Sequence, residues 1–218
     1  MGVKIYAFPP SPRSFKVLWA AHQLGVDYEF KFVDFSKNAQ KDTAFVALNP
    51  NGRAPVLEHD GYALWESNAI VEYLASLKPQ ANATGRDARE QLALRKWLYW
   101  DCAHWDPACA VFAFERVVKP LFGLGETSEA EIARGTQLFE RVGPVLDGEL
   151  KKHRYVGSDA LTIADLAIGS ALSIADRARF PIENYRNILR WQAELKALPS
   201  WQKTVAMQAQ MPVGAAAR

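Results

Sequence analysis

The chain of 218 residues has few cysteines, little net charge and no long apolar run. Its two cysteines, Cys102 and Cys109, lie on one predicted helix about 10 Å apart along the axis, which is too far for a disulfide. A net charge of +2 gives no strong attraction to nucleic acid, so we expect no nucleic-acid partner. No apolar run approaches the length of a membrane span, and the N-terminus enters an alternating strand directly. We therefore expect no membrane segment and no signal peptide.

The chain also has no disulfide framework and no spacing of histidines that is typical of a metal site. The free cysteines indicate a reducing compartment, so we expect a cytoplasmic protein. No metal is predicted. What is present is a hydrophobic fraction of 49%, which is enough for a core in one large or two small domains.

The first 78 residues alternate strands and helices. The predicted strands span residues 3–8, 28–33, 56–57 and 63–65, and the predicted helices span 12–24 and 66–77. Gly25 is a stop signal for the first helix, and Asp60-Gly61 between two short apolar segments predicts a β-hairpin. This order of elements predicts a thioredoxin-like domain, α/β with a mixed four-stranded sheet, over residues 1–78.

The remainder of the chain is expected to be helical. Residues 79–86 are polar and broken by proline and glycine, which predicts a linker, and residues 87–218 are predicted to form an all-helical C-terminal domain. The predicted helices span 87–119, 128–152, 162–172 and 184–198. Pro107 is expected to kink or break the first of them, and Gly143-Pro144 to interrupt the second. Thr162-Ile-Ala-Asp165 is typical of a capping box at the start of the third.

Two motifs together describe a site for an extended ligand with a carboxylate at one end. Ala54-Pro55 lies between a turn and a short apolar strand, and X-Pro bonds are where cis peptides occur. A proline that opens a strand also leaves its edge without a donor, so the preceding residue can pair with a ligand. Glu66 and Ser67 begin a helix, whose N-terminal N–H groups favour a carboxylate. An extended ligand could therefore pair with Ala54 and end on Ser67.

With these motifs the chain resembles the cytosolic glutathione transferases over almost its whole length. The resemblance implies that the cis-proline turn pairs with the cysteinyl part of glutathione. It also implies that Glu66 and Ser67 hold the γ-glutamyl end. The family's usual sequence at this helix start is Glu-Ser-Arg-Ala-Ile, and Asn68 replaces the arginine here. Any ion pair made by that arginine is therefore expected to be absent.

The glycine end of glutathione needs cations or amides. By resemblance, Gln40, Lys41 and Arg53 lie in the loops that would bind it. Arg53 adjoins Ala54-Pro55 and could grip a carboxylate with two N–H bonds. Gln40 and Lys41 fit a solvated loop equally well, and acids such as Glu66 also occur in first turns simply for the helix dipole.

The predicted catalytic residue is Ser11, where the first strand meets the first helix. Ser11 and Ser14 have the spacing at which thioredoxin-like redox proteins carry Cys-x-x-Cys. A hydroxyl there could donate to a bound thiolate and lower the thiol pKa. Lowering a thiol pKa of about 8.5 by about 2 units needs roughly 2.7 kcal/mol, which one charge-assisted hydrogen bond could nearly supply.

Two other interpretations of this segment are open. Ser11 before Pro12 is also a preferred helix cap followed by proline at the first helical position. Ser14, one turn into the helix, is the alternative donor. Because Ser11 aligns with the catalytic serine of the serine-type classes that the chain resembles, we predict the catalytic role for Ser11.

An electrophile pocket is predicted between the domains. Phe8 and Pro10 flank the serine, and Trp100, His104 and Trp105 lie on the aromatic-rich first helix of the C-terminal domain. The resemblance places an apolar pocket along this helix, although most of its aromatic residues are expected in the core or in a dimer contact.

These observations predict a serine-type glutathione transferase, phi- or theta-like and of a bacterial type, that adds reduced glutathione to a small apolar electrophile in detoxification. Glutathione is the co-substrate and no cofactor is expected. The resemblance also implies a homodimer. Two alternatives are open: glutathione-dependent reduction of peroxides or disulfides on the same site, and a non-catalytic ligand-binding or scaffold protein of the same fold.

Overall fold

The computed structural model describes residues 2–210, and the first part of this range contains a mixed four-stranded sheet. The strands are β1 (Val3–Ala7), β2 (Tyr28–Phe32), β3 (Val56–His59) and β4 (Tyr62–Trp65). Their order is β2-β1-β3-β4, with β1 parallel to β2 and the other two pairs antiparallel. Asp60 and Gly61 have φ angles of 50° and 81°, as a type I′ turn requires, so the predicted hairpin is confirmed.

Helices α1 (Pro12–Leu24), α2 (Thr43–Leu48) and α3 (Ser67–Ser76) complete the thioredoxin-like domain. The predicted bounds of α1 are confirmed: Pro12 lies in its first turn, and Gly25 ends it with φ of 65°. The sequence pattern does not predict α2. Phe45 is the one buried residue of this six-residue helix, so α2 carries no periodic apolar stripe.

The helical domain begins with one long helical path. It consists of α4 (Ala88–Trp100), α5 (Asp106–Ala113) and α6 (Lys119–Phe122). These helices are joined by π-helical turns at Asp101–Trp105 and Phe114–Val118. Pro107 and Pro120 each lie in the first turn after a π-helical turn. The wider π-helical turns accommodate the prolines. The chain therefore stays helical through Pro107, with a local change in winding rather than a break.

The remaining helices are α7 (Glu129–Leu150), α8 (Ile163–Gly169), α9 (Ala175–Ala178), α10 (Arg186–Lys196) and α11 (Pro199–Ala209). The predicted interruption at Gly143-Pro144 is wrong, since α7 continues through both residues. Gly143 is a contact point: a Cβ there would lie 2.5 Å from Cζ of Tyr185. The predicted helical domain reaches residue 218, and residues 211–218 lie outside the described part of the chain.

Helix α1 connects the two domains. It contacts α3 of its own domain and α8 and α11 of the helical domain. Trp19 at its centre is fully buried, its ring centroid lies 4.9 Å from that of Trp201, and its Nε1 donates to Ser200 at 3.1 Å. One hydrophobic core includes residues of both domains, so the start of α1 is held at their junction. Within residues 2–210, no helix combines the length and apolarity that a membrane crossing needs.

The start of α8 is a fully buried capping box, as the sequence predicts. The Asp165 carboxylate accepts from the Thr162 N–H at 2.9 Å, from the Val156 N–H at 2.9 Å and from Nε1 of Trp191 at 3.0 Å. Burial raises the pKa of Asp165 to about 7, and these donors oppose the rise. Asp165 therefore joins the loop before α8 to α10.

Candidate active site

One end of the sheet brings together the three segments that carry the predicted site. Tyr6 of β1 pairs with Val56 of β3, and Val56 pairs with Trp65 of β4. The chain after β1 leads to the predicted catalytic serine, the chain just before β3 is the Ala-Pro turn, and the chain just after β4 is the Glu-Ser helix start. The strand register thus places all three motifs at the same end of the sheet.

Ser11 and Ser14 differ sharply in their surroundings. Ser11 stands directly before α1 in an extended backbone conformation and is partly exposed, yet its hydroxyl makes no hydrogen bond that caps the helix. Ser14 is fully buried, and its Oγ accepts from the Phe8 N–H at 3.1 Å. Ser11 therefore occupies the N-cap position of α1, as the capping interpretation predicts, but without a capping bond from its side chain. The Ser14 hydroxyl is engaged in holding the loop that precedes α1.

An aromatic cluster adjoins the loop that carries Ser11. The ring centroid of Phe8 lies 6.2 Å from Phe32, 5.0 Å from Phe35 and 6.4 Å from Phe122. Phe122 belongs to α6, so the cluster joins the two domains. The sequence pattern does not predict that Phe35 and Phe122 belong to this cluster, because each is far from Phe8 along the chain and neither lies in a motif.

The predicted pocket residues on the long helical path have different environments. Trp105 is fully buried, and its Nε1 donates to the Ile168 carbonyl at 3.0 Å. It is a core residue rather than the pocket residue that was predicted, because its side chain reaches no surface at which a substrate could bind. Trp100 is half-buried and stacks on Trp105 at 6.1 Å, and His104 is exposed with its ring 6.4 Å from Trp100.

The Ala54–Pro55 peptide is cis, and Pro55 is buried. The turn before it is held by Asn49, which is 3% exposed and whose Nδ2 donates to the Arg53 carbonyl at 2.6 Å. Gly52 has φ of 59°, and a Cβ at this position would lie 3.1 Å from the Gln40 carbonyl oxygen. The close approach brings the Gln40 loop against the turn.

The contact between this loop and the turn brings Gln40, Lys41 and Arg53, the residues predicted to bind the glycine end of the ligand, partly together. Gln40 has a buried Oε1 with no hydrogen-bond partner among residues 2–210, whereas Lys41 and Arg53 are exposed. Their positively charged groups face solvent near the same turn. This arrangement could bind a carboxylate at the surface.

Glu66 and Ser67 form the start of α3. Glu66 has φ of 70° and ψ of 113°, a conformation that is strained for a residue with a side chain. Ser67 is 8% exposed and is the first residue of the helix. The side chain of the N-cap residue, Glu66, makes no capping hydrogen bond, so the first N–H groups and the positive dipole end of α3 are suited to an anion. Backbone strain of this kind is concentrated at functional sites.

The protein's own thiols are not arranged as nucleophiles. Burial raises the pKa of Cys102, and it raises the pKa of Cys109 well above the ordinary range. Both cysteines are free. Within residues 2–210, no group of three or more histidine, cysteine, aspartate or glutamate side chains could hold a metal ion. A thiolate at this site would therefore come from a bound molecule.

Two protein-family models match this chain. The family model described as "Glutathione S-transferase, N-terminal domain" matches residues 1–76, and "Glutathione S-transferase, C-terminal domain" matches residues 104–199. "Glutathione S-transferase 3" of Zea mays is 31% identical over 209 residues, which are 94% of this chain and 93% of that protein.

Two solved structures are similar over nearly the whole chain. The glutathione S-transferase of Pseudomonas fluorescens is 28% identical with a TM-score of 0.82, covering 92% of this chain and 97% of that one. The glutathione transferase URE2P6 of Phanerochaete chrysosporium, in complex with oxidized glutathione, is 26% identical with a TM-score of 0.84, covering 98% of both chains.

Proposed function

We propose that this chain, which belongs to the glutathione S-transferase family, transfers glutathione with Ser11 as the residue that stabilises the thiolate. One observation carries the proposal: the partly exposed Ser11 hydroxyl, at the start of α1, makes no capping bond, while the Ser14 hydroxyl is fully buried and accepts from the Phe8 N–H. A free hydroxyl beside the positive end of a helix is suited to donate to a thiolate. The enzyme is thus serine-type in our proposal.

Glutathione lies across the end of the sheet in this proposal. Its cysteinyl part pairs with the backbone at Ala54, beside Pro55, and its γ-glutamyl end reaches Glu66 and Ser67 at the start of α3. The carboxylate of its glycine is bound near the turn that carries Arg53. The remaining proposed ligands of the glycine carboxylate are Gln40 and Lys41. The pairing of β1 with β3 and of β3 with β4 supports this path, because the segments that carry the proposed contacts follow or precede these strands at one end of the sheet.

The reaction consists of two steps. The S–H bond of bound glutathione breaks and its proton passes to solvent, leaving a thiolate that accepts a hydrogen bond from the Ser11 hydroxyl. The thiolate sulfur then forms a bond to an electrophilic carbon, and with an aryl halide the halide ion leaves. Ser11 acts on the first step, the ionisation of the thiol. By lowering the thiol pKa it raises the fraction of bound glutathione that is thiolate, which is the nucleophile.

The electrophile binds, in this proposal, against the aromatic cluster next to Ser11. Phe8 and Pro10 form its base, Phe35 and Phe122 extend it, and rings of this kind suit a flat apolar substrate. Trp100 and His104 remain proposed pocket residues from the helical domain.

Binding to immobilised glutathione and two assays test the function. We expect the protein to be retained by a glutathione resin and to conjugate an aryl halide. Retention without conjugation, but with reduction of an organic hydroperoxide, would identify the peroxidase alternative instead. Retention without either reaction would favour a ligand-binding protein.

Substitution of Ser67 tests the glutathione path. Ser67→Ala is expected to weaken binding of reduced glutathione by about 1–3 kcal/mol, the cost of a lost hydrogen bond to a charged group. Arg53→Ala should weaken it by roughly tenfold or less, because Arg53 is exposed and its charge is screened. Isothermal titration calorimetry measures both. Ser76→Ala, at the other end of α3, is the matched control, and wild-type affinity in all three variants would contradict the proposed path.

A homodimer is proposed from the exposed apolar surface of α4 and β4. Leu92 and Tyr99, two turns apart on α4, are 65% and 73% exposed, and Tyr62 and Trp65 of the edge strand β4 are 56% and 39% exposed. Large apolar side chains that are exposed on a helix face and on an edge strand are candidates for contact with a second copy of the chain. Light scattering is expected to give the dimer mass at micromolar concentration.

A charge on this surface should dissociate the dimer. Tyr99→Glu is expected to give the monomer mass, because the carboxylate would be buried in the interface. The control is Leu124→Glu, which changes another exposed leucine outside α4 and β4. A wild-type monomer, or a Tyr99→Glu dimer as stable as the wild type, would count against this interface.

Three further assignments belong to the proposal. The cytoplasm is the proposed location and detoxification of apolar electrophiles the proposed role. The division into residues 1–78, 79–86 and 87–218 stays a prediction. So does the bacterial type, since the similar proteins named above come from a plant, a bacterium and a fungus.

A further inference from the structure

A buried lysine joins three helical segments close to the proposed glutathione site. Lys16 of α1 is 3% exposed, and its Nζ donates to Oδ1 of Asn68 and to Oδ2 of Asp101, both at 2.7 Å. Asn68 belongs to α3, and Asp101 begins the π-helical turn after α4. Nδ2 of Asn68 also donates to Asp101 at 3.1 Å and to the Leu98 carbonyl at 2.9 Å. We call Lys16, Asn68 and Asp101 the buried triad.

The buried triad is hard to explain by stability alone. Lysine and aspartate are almost never fully buried unless they are paired. Taking both charges out of water costs about as much as their attraction returns, so a buried ion pair is weak evidence for a gain in stability. A fully satisfied polar network can instead fix the relative positions of the elements that contribute to it.

The buried triad joins α1 and α3, the two helices whose starts carry the serines of the proposed glutathione site, Ser11 and Ser67. Lys16 lies about one and a half turns after Ser11 along α1, and Asn68 directly follows Ser67 in α3. Asn68 is 8% exposed and Asp101 is 2% exposed, so the connection between these helix starts is shielded from solvent. A bond from Lys16 to Asn68 therefore sets the distance between the two helix starts.

The polar groups around the buried triad make contacts of their own and do not replace its hydrogen bonds. Sγ of Cys102 lies 3.2 Å from Nδ2 of Asn68 and accepts from it. Arg13 of α1 pairs with Asp106 at the start of α5, which gives α1 a second ionic contact with the helical domain. Among these partners, Asn68 is the residue that belongs to α3.

We propose that Lys16 is a positioning residue, which through Asn68 and Asp101 holds the start of α3, and with it Ser67, in register with Ser11. The inference rests on the proposed function, since it concerns the geometry of the glutathione site. The cation beside Asp101 is thus supplied by α1, and Asn68 connects it to α3.

Two variants test the role without leaving a buried charge unpaired. Lys16→Met/Asp101→Asn removes both charges together, and Asn68→Ala keeps the ion pair but removes its connection to α3. In each variant we expect the KM for reduced glutathione to rise roughly 10- to 100-fold, because a misplaced γ-glutamyl contact weakens productive binding. The KM for an aryl halide should stay within about twofold of the wild-type value, since the aromatic cluster is not touched.

The matched control is a second ion pair of the same domain. Lys4 Nζ and Glu58 Oε1 lie 2.8 Å apart between β1 and β3, away from the helix starts. Lys4→Met/Glu58→Gln should leave both KM values unchanged. Thermal unfolding of each variant shows whether it is folded, and if the Lys16→Met/Asp101→Asn variant does not fold, Asn68→Ala decides the question.

The possible outcomes separate this inference from the proposed function. A rise in the glutathione KM in the folded variants, with the control unchanged, supports the positioning role. Wild-type KM values in the folded variants would overturn it, and so would an equal rise in both substrates' KM values, which a general loss of structure produces. If Ser67→Ala also binds glutathione like the wild type, the proposed path itself has failed. If Ser67→Ala weakens binding as expected, only the role of Lys16 has failed.

Discussion

Replacing Ser11 with alanine is expected to lower the rate of conjugation at neutral pH by roughly 10- to 100-fold. One lost charge-assisted hydrogen bond to the thiolate corresponds to about 1.5–3 kcal/mol, and each 1.4 kcal/mol is a factor of ten. The pKa of bound glutathione should rise toward the ordinary thiol value of about 8.5. Glutathione affinity should change little, because the peptide is held elsewhere.

The pH dependence identifies the cause of this loss. If Ser11 acts by lowering the thiol pKa, raising the pH should restore much of the rate in Ser11→Ala, since hydroxide then removes the proton. The absorbance of the bound thiolate, followed as a function of pH, measures the same pKa directly. Ser11→Cys should instead favour mixed disulfides with glutathione, because it introduces a protein thiol at the helix start.

Ser14→Ala is the control for the assignment of the donor. Ser14 is buried, and its Oγ accepts from the Phe8 N–H, so its removal is expected to disturb the loop without moving the thiol pKa. If the thiolate titrates identically in the wild type and Ser11→Ala, but shifts in Ser14→Ala, the two serines must exchange roles.

The parts of the fold that the sequence predicts are those determined by neighbouring residues. Pro12 and Gly25 mark the ends of α1, and Asp60-Gly61 has the φ angles of the predicted turn. The Thr162 capping box forms as its spacing indicates. These signals are local, because each depends on backbone preferences or on bonds within one turn.

The parts that the sequence does not predict depend on contacts between distant segments. Gly143 before Pro144 predicts a break, yet Gly143 is the point where Tyr185 packs against a continuous helix. Helix α2 has one buried side chain and so gives no periodic signal. In both cases a tertiary contact, rather than local preference, determines the structure.

The candidate site shows the same limit. Spacing and resemblance select Ser11, Ala54-Pro55 and Ser67, because these positions lie in short motifs. Nothing local distinguishes Trp105, which is buried in the core, from Phe122, which contacts Phe8 across the domain junction. Lys16 is likewise an ordinary polar position of α1 until the fold brings Asn68 and Asp101 to it.

Replacing Asp165 with alanine is expected to reduce the free energy of unfolding by about 3–5 kcal/mol. The substitution breaks the capping box and leaves the N–H groups of Val156, Thr162 and Trp191 buried without an acceptor. Each unsatisfied group costs about 1–3 kcal/mol, and losses of this size are typical of a broken buried network. For a chain of this length the loss corresponds to a fall in Tm of roughly 6 to 20 °C, which calorimetry can measure.

Because Asp165 is buried, the loss of stability caused by Asp165→Ala is expected to depend on pH. Its pKa is about 7 in the folded chain against 3.8 when exposed, because burial disfavours the carboxylate. Protonation therefore contributes stability that is fully present below pH 3.8 and is lost as the pH rises through 7. The fall in Tm caused by Asp165→Ala should accordingly be larger at pH 5 than at pH 8. The control is Asp27→Ala, which changes an exposed aspartate and should move Tm little at either pH. An Asp165→Ala protein as stable as that control would show that the buried carboxylate does not hold α8 and α10 together.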